Sequence, residues 1–180
     1  RRGARDSPDC RPPPGDRQAR YEGSTGGYAV AFSGLEKDAP RWVAIRAGRG
    51  QAFWAGADLG RMQAAAKFTK AKAKSDAGRF AKLLYRIHTF PKPVIARVHG
   101  AAFAGGMGLV AASDLIVASD QAEFCLPETR IGLVPAMISP YLVRAMGEQQ
   151  ARRYMLTGEK LPARDALRLA AYELLFARTP

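Results

Sequence analysis

Residues 93–109 read Pro93-Val94-Ile95-Ala96-Arg97-Val98-His99-Gly100-Ala101-Ala102-Phe103-Ala104-Gly105-Gly106-Met107-Gly108-Leu109. The apolar run at 94–98 is typical of a buried strand, and residues 109–112 are typical of an apolar helix. A helix that begins after two glycines leaves backbone N–H groups without a helical partner and lets another molecule approach the main chain closely. Those donors, with the helix dipole, suit an anion or a developing oxyanion. The alternative is a tight turn that only packs the helix against the strand.

Strand and helix candidates alternate on both sides of this run. The strand candidates are 42–45, 94–98, 115–118 and 123–126, and the helix candidates are 61–89, 109–112, 139–147, 149–156 and a last helix opened by Pro162. Apolar residues recur at helical spacing in the first helix candidate, at Phe80, Leu83, Leu84 and Ile87. The alternation predicts βαβ crossovers, and therefore an α/β fold whose largely parallel sheet is flanked by helices.

The composition is that of a single soluble globular domain. The chain has 180 residues, of which 47% are hydrophobic and 24% charged. No apolar run approaches the roughly 18–20 residues that a membrane span needs. The two cysteines, Cys10 and Cys125, cannot form a disulfide framework, and no apolar signal-peptide core is present. We therefore predict a cytoplasmic protein.

The charge balance is strongly basic. Lys and Arg number 28 against 16 Asp and Glu, which gives a net charge of +12. This balance favours a polyanionic partner (nucleic acid, an anionic membrane surface or a phosphorylated small molecule), and the alternative is a solvated basic surface. The lysine-bearing helix at 67–82 could contact RNA, but no ribonucleoprotein motif, zinc finger or KH loop accompanies it. We expect neither a membrane nor a nucleic acid as partner.

Residues 1–28 differ from the rest of the chain. They mix arginines with acidic residues and prolines and show no apolar periodicity, so we predict a disordered N-terminal segment and an ordered core over 29–180. An organellar transit peptide is the alternative, although such peptides are poor in acidic residues.

Two further features carry chemistry. The turn Ala55-Gly56-Ala57-Asp58 follows an apolar segment and could supply a second backbone N–H, and two such donors from separate loops make an oxyanion hole. Glu128 is the one carboxylate in the apolar run at 124–135, where burial would raise its pKa and suit it to acid–base work. The alternative for Glu128 is a pair with Arg130 or a surface position. No Cys/His spacing resembles a metal site, and Gly-x-Ser-x-Gly is absent.

In this order the motifs resemble the crotonase superfamily, the enoyl-CoA hydratases and isomerases. The resemblance covers about residues 30–169, and its matching stretches are 52–59, 93–102, 104–109, 112–114, 124–135 and 156–159. The sequence of residues 131–141 looks most like that of bacterial methylglutaconyl-CoA hydratase-like members. The resemblance implies a crotonase-like fold of repeated ββα units.

The resemblance also implies the site. The backbone N–H groups of Ala57 and Gly105 would form the oxyanion hole for the thioester carbonyl, and Glu128 would be the catalytic carboxylate. The implied substrate-binding residues are Ala55, Gly56, Ala57, Asp58, Leu59, Gly105, Gly106, Pro127, Glu128 and Pro135. Coenzyme A would arrive as part of the substrate, with no metal or redox cofactor.

Some positions depart from the family pattern. Hydratases of the two-glutamate type carry Glu where this chain has Gly108, so acid and base duty would fall on Glu128 alone, on an unrecognised group or on water. The hydroxyacyl-CoA hydrolase branch shares Gly108 but usually has Asp where Ala136 lies, which makes hydrolysis a poorer match. The family's opening strand with its Asn-containing turn is not seen in 1–28, and the C-terminal helices that build trimers are largely missing.

We therefore predict an enoyl-CoA hydratase-like hydro-lyase that adds water to an α,β-unsaturated acyl-CoA, in fatty acid metabolism or branched-chain amino acid catabolism. The expected assembly is a homotrimer or a dimer of trimers. The alternatives are enoyl-CoA isomerisation or another crotonase chemistry, a truncated inactive CoA-binding remnant, and an RNA-binding basic protein.

Overall fold

The computed structural model of the protein describes residues 43–45, 52–54, 68–169 and 174–176. In chain order the elements are β1 (Val43–Ile45), α1 (Lys70–His88), β2 (Val94–Val98), β3 (Ala101–Phe103), α2 (Gly105–Ala112), β4 (Leu115–Ala118), β5 (Glu123–Cys125), a 3-10 helix (Pro127–Ile131), α3 (Ser139–Met146), α4 (Glu148–Thr157), β6 (Lys160–Pro162), α5 (Ala163–Leu169) and β7 (Leu174–Phe176). The predicted boundary at residue 28 lies outside the described residues.

The strands form two sheets. The first has the order β1-β2-β4-β7 with every pair parallel, as predicted. The second has the order β3-β5-β6, in which β3 and β5 are parallel and β5 and β6 antiparallel. Trp54 makes an isolated parallel bridge with Ala102 on the free side of β3. Consecutive strands β2 and β3 therefore belong to different sheets, and α2 follows them in the repeated ββα manner.

The apolar pattern of α1 is confirmed. Its buried side chains are Phe80, Leu83, Leu84 and Ile87. The predicted start at residue 61 is wrong where the structure can test it, because residues 68 and 69 are not helical. Thr69 caps the helix, with its Oγ1 accepting a hydrogen bond from the Lys72 N–H at 3.3 Å. A threonine cap satisfies one of the unpaired donors of the first turn, which sets the helix start at Lys70.

Other predicted boundaries need correction. α2 begins at Gly105 rather than 109, so the glycines belong to its first turn. Ser139 is the first residue of α3 but does not cap it; its hydroxyl donates to the Ala136 carbonyl at 3.1 Å. Pro162 ends β6, and the helix that follows starts at Ala163. The strands β3 and β6 were not predicted.

The helices meet the first sheet in one apolar core. Leu84 of α1, Leu109 of α2 and Leu142 of α3 are fully buried and belong to a single cluster with the inner residues of β2. Of the methionines, Met107 is buried, but Met137 is 37% exposed because it lies in the loop before α3.

A polar clamp joins the start of β2 to the end of α2. Asp114 Oδ2 accepts a hydrogen bond from the Val94 N–H, and the Asp114 N–H donates to the Val94 carbonyl, both at 2.9 Å. These paired bonds fix the register at the end of the sheet from which β2 and β4 start. Within the described ranges, no helix is long and apolar enough to cross a membrane.

Candidate active site

The second sheet brings two of the predicted site segments to one edge. β3 and β5 are neighbouring parallel strands, with Phe103 opposite Cys125. The Ala104 N–H donates to the Cys125 carbonyl at 2.9 Å just beyond that pair. Because parallel strands end at the same edge of a sheet, the glycine turn that follows β3 lies beside the segment that leads from β5 to Glu128.

The turn into α2 has an unusual backbone. Ala104 has φ 51° and ψ −120°, and it is the one non-glycine residue with positive φ in the described part of the chain. Its carbonyl accepts hydrogen bonds from the N–H groups of Met107 at 3.0 Å and Gly108 at 3.3 Å. Gly105 and Gly106 stand before those two residues, so the helix offers their N–H groups no carbonyl. These donors form the positive end of α2.

The two glycines are in close contact with aromatic residues. A Cβ at Gly105 would lie 3.1 Å from Cζ of Phe80, and a Cβ at Gly106 would lie 2.6 Å from Cβ of Trp54 and 3.0 Å from its carbonyl oxygen. Any side chain at Gly106 would therefore clash with the backbone of the Trp54 segment. At Gly106 the structure therefore shows the packing alternative, in which glycine lets two segments of the chain approach closely.

Gly108 faces α3. A Cβ at this position would run into Ile138, whose Cγ2 and Cβ are the nearest atoms. Ile138 is itself 2% exposed. The isoleucine therefore occupies the space that a side chain at position 108 would need, and the fold has no room there for a second carboxylate.

Glu128 is the acidic residue of the 3-10 helix, which begins at Pro127. Its backbone carbonyl accepts from the Leu133 N–H at 2.9 Å, which closes the turn behind it. The Oε2 atom is buried and has no hydrogen-bond partner. Burial raises the pKa of Glu128 above its usual value, and its own backbone N–H opposes part of that rise.

The alternative pairing of Glu128 with Arg130 is not what the structure shows. The Arg130 side chain lies against Gly158 at the end of α4, since a Cβ on that glycine would be 3.0 Å from Arg130 Nε. Glu128 is half-buried rather than a surface residue. A buried acid with an unpartnered oxygen is an arrangement that proteins tend to keep for binding or proton transfer.

The remaining predicted site residues divide into two groups. Pro127 is half-buried and Pro135 is buried, and the Pro135 carbonyl accepts from the N–H groups of Ile138 at 3.2 Å and Ser139 at 3.0 Å. Pro135 thus shapes the loop between Glu128 and α3. The residues of the predicted second turn lie outside the described residues: Ala55, Gly56, Ala57, Asp58 and Leu59.

The described part of the site offers hydrogen-bond donors and a proton-transfer group. Among the residues that the structure describes, no three or more His, Cys, Asp or Glu side chains are placed to hold a metal ion. Sequence reasoning missed Ile138 as the neighbour of Gly108, and it treated Phe80 only as a core residue. Nothing in the sequence indicates either contact, because the partners lie on different helices.

Comparison with solved structures identifies the architecture as the crotonase fold. A crystal structure of an enoyl-CoA hydratase from Shewanella pealeana superposes with a TM-score of 0.78 and 40% sequence identity, covering 82% of this chain and 56% of that one. The Pseudomonas aeruginosa protein AtuE superposes with a TM-score of 0.83 at 33% identity, covering 92% of this chain and 64% of its own.

The sequence comparisons agree with the fold. The family model for enoyl-CoA hydratase/isomerase matches residues 26–171, so the chain belongs to the enoyl-CoA hydratase/isomerase family. A Thermus thermophilus protein named for enoyl-CoA hydratase is 39% identical over 136 residues, which are 76% of this chain and 54% of that protein. The carnitinyl-CoA dehydratase of Proteus mirabilis is 37% identical over 147 residues, 76% of this chain and 52% of that enzyme. The chain spans about half the length of these curated relatives.

Proposed function

We propose that the protein hydrates an α,β-unsaturated acyl-CoA thioester, using Glu128 as its one acid–base group. The thioester carbonyl oxygen would accept hydrogen bonds from the backbone N–H groups of Gly105 and Ala57. Coenzyme A enters as part of the substrate. Its negatively charged phosphates would bind part of the basic surface that the net charge of +12 implies.

The observation that carries this proposal is the buried, unpartnered Oε2 of Glu128, on a segment that follows β5, the strand paired with the one that leads into α2. A carboxylate oxygen that the protein leaves without a donor, as it leaves Oε2, can accept a hydrogen bond from a bound water. N–H groups that the helix leaves without an acceptor can stabilise the oxygen that gains negative charge. Both groups leave the same edge of the second sheet, from neighbouring strands.

The reaction follows from these two groups. Ionised Glu128 takes a proton from water as the water oxygen forms a bond to C3 of the enoyl group. The C2–C3 π electrons move towards the carbonyl, and the enolate oxygen is stabilised by the Gly105 and Ala57 N–H groups. Protonated Glu128 then returns its proton to C2. The sum is the addition of one water, with Glu128 restored.

The substrate-binding surface belongs to the same proposal. Gly106 lets the chain approach closely, and Pro127 and Pro135 fix the loops on either side of Glu128. The segment 55–59 follows Trp54 directly in the sequence. Its main chain would supply the second N–H donor of the oxyanion hole and would contact the adenine of coenzyme A. Trp54 itself is hydrogen-bonded to β3, at the edge where Gly105 lies.

The test is product mass with a panel of trans-2-enoyl-CoA thioesters that differ in acyl length and branching. We expect one thioester or more to gain one water, and Glu128→Gln to lower the rate by about 10²–10⁴-fold, as removal of a general acid–base group does. Glu123→Gln is the matched control, because Glu123 is on the strand before Glu128 and pairs with Lys160 at 2.9 Å. A folded protein that hydrates no thioester would overturn the proposal.

Double-bond isomerisation is a second candidate, favoured by the contact between Gly108 and Ile138. Among the described residues that contact leaves Glu128 as the carboxylate of the site, and a single carboxylate suffices to move a proton between C2 and C4 of an enoyl group. In D2O, isomerisation gives a product without added water, with deuterium only to the extent that the carboxyl proton exchanges with solvent, whereas hydration adds D2O. The same panel therefore separates the two reactions.

A further inference from the structure

The Gly105–Gly106 peptide contacts two buried aromatic residues of different segments. The ring of Phe80 from α1 points its tip at Gly105, with Cζ at 3.1 Å and Cε1 at 3.4 Å from an ideal Cβ position. At Gly106 the nearest atoms are Cβ, Cγ and the carbonyl oxygen of Trp54. The rings of Phe80 and Trp54 are 6.5 Å apart between centroids and inclined at 41°.

The Trp54 side of this arrangement is fixed by backbone hydrogen bonds. The Trp54 N–H donates to the Ala101 carbonyl, and the Phe103 N–H donates to the Trp54 carbonyl, both at 2.8 Å. Trp54 touches Gly106 through its Cβ, Cγ and carbonyl oxygen, two of which most residues possess. Its hold on the turn therefore depends mainly on main-chain pairing.

The Phe80 side depends on the aromatic ring itself. The atoms that reach Gly105 are Cζ, Cε1 and Cε2, the far end of a side chain that is 1% exposed. The side chain of a leucine at position 80 would be too short to reach Gly105. The Phe80 ring thus packs in the apolar core, and its Cζ end contacts Gly105 in the turn before α2.

We propose that Phe80 is a positioning residue, whose ring tip sets the place of Gly105 and so the direction in which the Gly105 N–H points. This inference rests on the proposed function, in which that N–H binds the thioester oxygen. Phe80 does not touch the reacting atoms. Its ring restrains Gly105, so that the Gly105 N–H stays close to the thioester carbonyl oxygen. This restraint matters most as negative charge develops on that oxygen, when a preorganised donor is most effective.

The first test is Phe80→Leu, with Ile87→Val as the matched control on the same buried face of α1. We expect Phe80→Leu to lower kcat about tenfold with little change in KM, since misplacement by about 1 Å can cost up to about 100-fold. The control should lose stability without that change in kcat. If Phe80→Leu does not fold, Phe80→Met, which is longer and flexible, replaces it.

The second readout is the absorbance of a bound conjugated dienoyl-CoA thioester, whose band moves to longer wavelength when donors polarise its carbonyl. We expect a red shift with the wild type that is smaller with Phe80→Leu and unchanged with Ile87→Val. A shift that Phe80→Leu keeps in full overturns the positioning role alone. No shift with the wild-type protein overturns the positioning role together with the proposed oxyanion hole.

A double-substitution cycle tests the contact. Gly105→Ala places a methyl 3.1 Å from Phe80 Cζ, so we expect it to weaken the red shift in the wild-type background. In the Phe80→Leu background the same methyl has room, and its effect should be smaller. Equal effects in the two backgrounds would show that Phe80 does not position Gly105.

Discussion

The raised pKa of Glu128 predicts how the stability of the protein depends on pH. Its pKa is raised in the folded state by burial. Below the unfolded-state pKa of about 4.3 both states hold the proton, so the group has no effect there. As pH rises above that value the unfolded chain releases the proton before the folded one does, and the free energy of unfolding falls until pH passes the raised pKa.

Glu128→Gln removes that titration. We therefore expect the variant to be more stable than the wild type at pH 7 and to lose this advantage as pH falls towards about 4. Urea unfolding at both pH values measures the difference. Glu123→Gln, which removes a partner of Lys160 rather than a buried acid, should show no such gain at pH 7. A Glu128→Gln protein less stable than the wild type at pH 7 would contradict the assignment.

Ala104 holds a backbone conformation that costs energy. At φ 51° and ψ −120° an L side chain is strained, by about 1–3 kcal/mol, whereas glycine adopts it freely. Glycine also makes the unfolded chain more flexible. This cancels about 0.4–1 kcal/mol of the stability that relief of the strain would add. We expect Ala104→Gly to raise the free energy of unfolding by about 1 kcal/mol in denaturant titration.

Ala111→Gly provides the contrast for this prediction. Ala111 is in the last turn of α2, where a helical glycine costs up to about 1 kcal/mol relative to alanine. The two substitutions are chemically identical and lie in one short segment, so opposite signs isolate the backbone strain. Loss of stability in both variants would show that Ala104 carries no strain.

The residue-level site was partly predictable from sequence. The burial of Glu128 could be predicted because it is a lone carboxylate in an apolar run, and the structure leaves its Oε2 buried and unpartnered, whereas its catalytic role stays a prediction. The strain at Ala104 could not, because alanine gives no sign of a positive φ. It follows from the path of the chain between β3 and α2, with the Ala104 N–H bound to the Cys125 carbonyl.

At the level of elements, α2 and α3 are coupled through Gly108 and Ile138. Gly108→Ala would press its methyl into Ile138 and should cost about 1–3 kcal/mol of stability. Ile138→Ala leaves a cavity and should cost about 2–5 kcal/mol. In the double variant the new methyl occupies part of that cavity, so the sum of the single effects should exceed the double effect by about 0.5–3 kcal/mol.

Thermal or urea unfolding of the four proteins measures this coupling. Additive effects would mean that α2 and α3 relax independently and that Ile138 does not fill the space above Gly108. In that case the fold could accommodate a side chain at position 108, including a second carboxylate beside Glu128.

Among the elements, those that stand out as apolar runs were predictable even where they are short, as β1 and β5 are, whereas β3 and β6 were not. β2 and β4 match their predicted bounds because each is an apolar run that stands out from its surroundings. β3 has three residues and β6 contains Pro162, so neither has a signal of its own. Their strand character comes from pairing with β5, a partner distant in sequence from β6.

At the scale of the whole molecule, an exposed apolar segment follows the candidate site. Its side chains are exposed by 53% at Ile131, 48% at Leu133, 77% at Val134 and 37% at Met137. Contiguous apolar surface of this kind is typical of contacts between chains. It supports the proposed homotrimer or dimer of trimers, in which this segment would be covered.

We expect light scattering to give the mass of a trimer or hexamer for the wild type and a smaller mass for Val134→Asp. A buried aspartate at an interface has no compensating charge, so it should disfavour association without disturbing the monomer core. Tyr85→Asp, at a residue 64% exposed on α1, is the control and should keep the wild-type mass. A Val134→Asp protein that assembles normally would remove this segment from the interface.

The pairing of Trp54 with β3 has a consequence for how the molecule folds. The Trp54 main chain closes against Ala101 and Phe103 only after the intervening helix α1 has been brought back onto the sheet. Contacts between residues so far apart in sequence form slowly, because the loop entropy must be lost before they stabilise anything. The Phe103 amide should accordingly exchange with solvent deuterium only on global unfolding, and the candidate oxyanion turn would be among the last parts of the protein to mature.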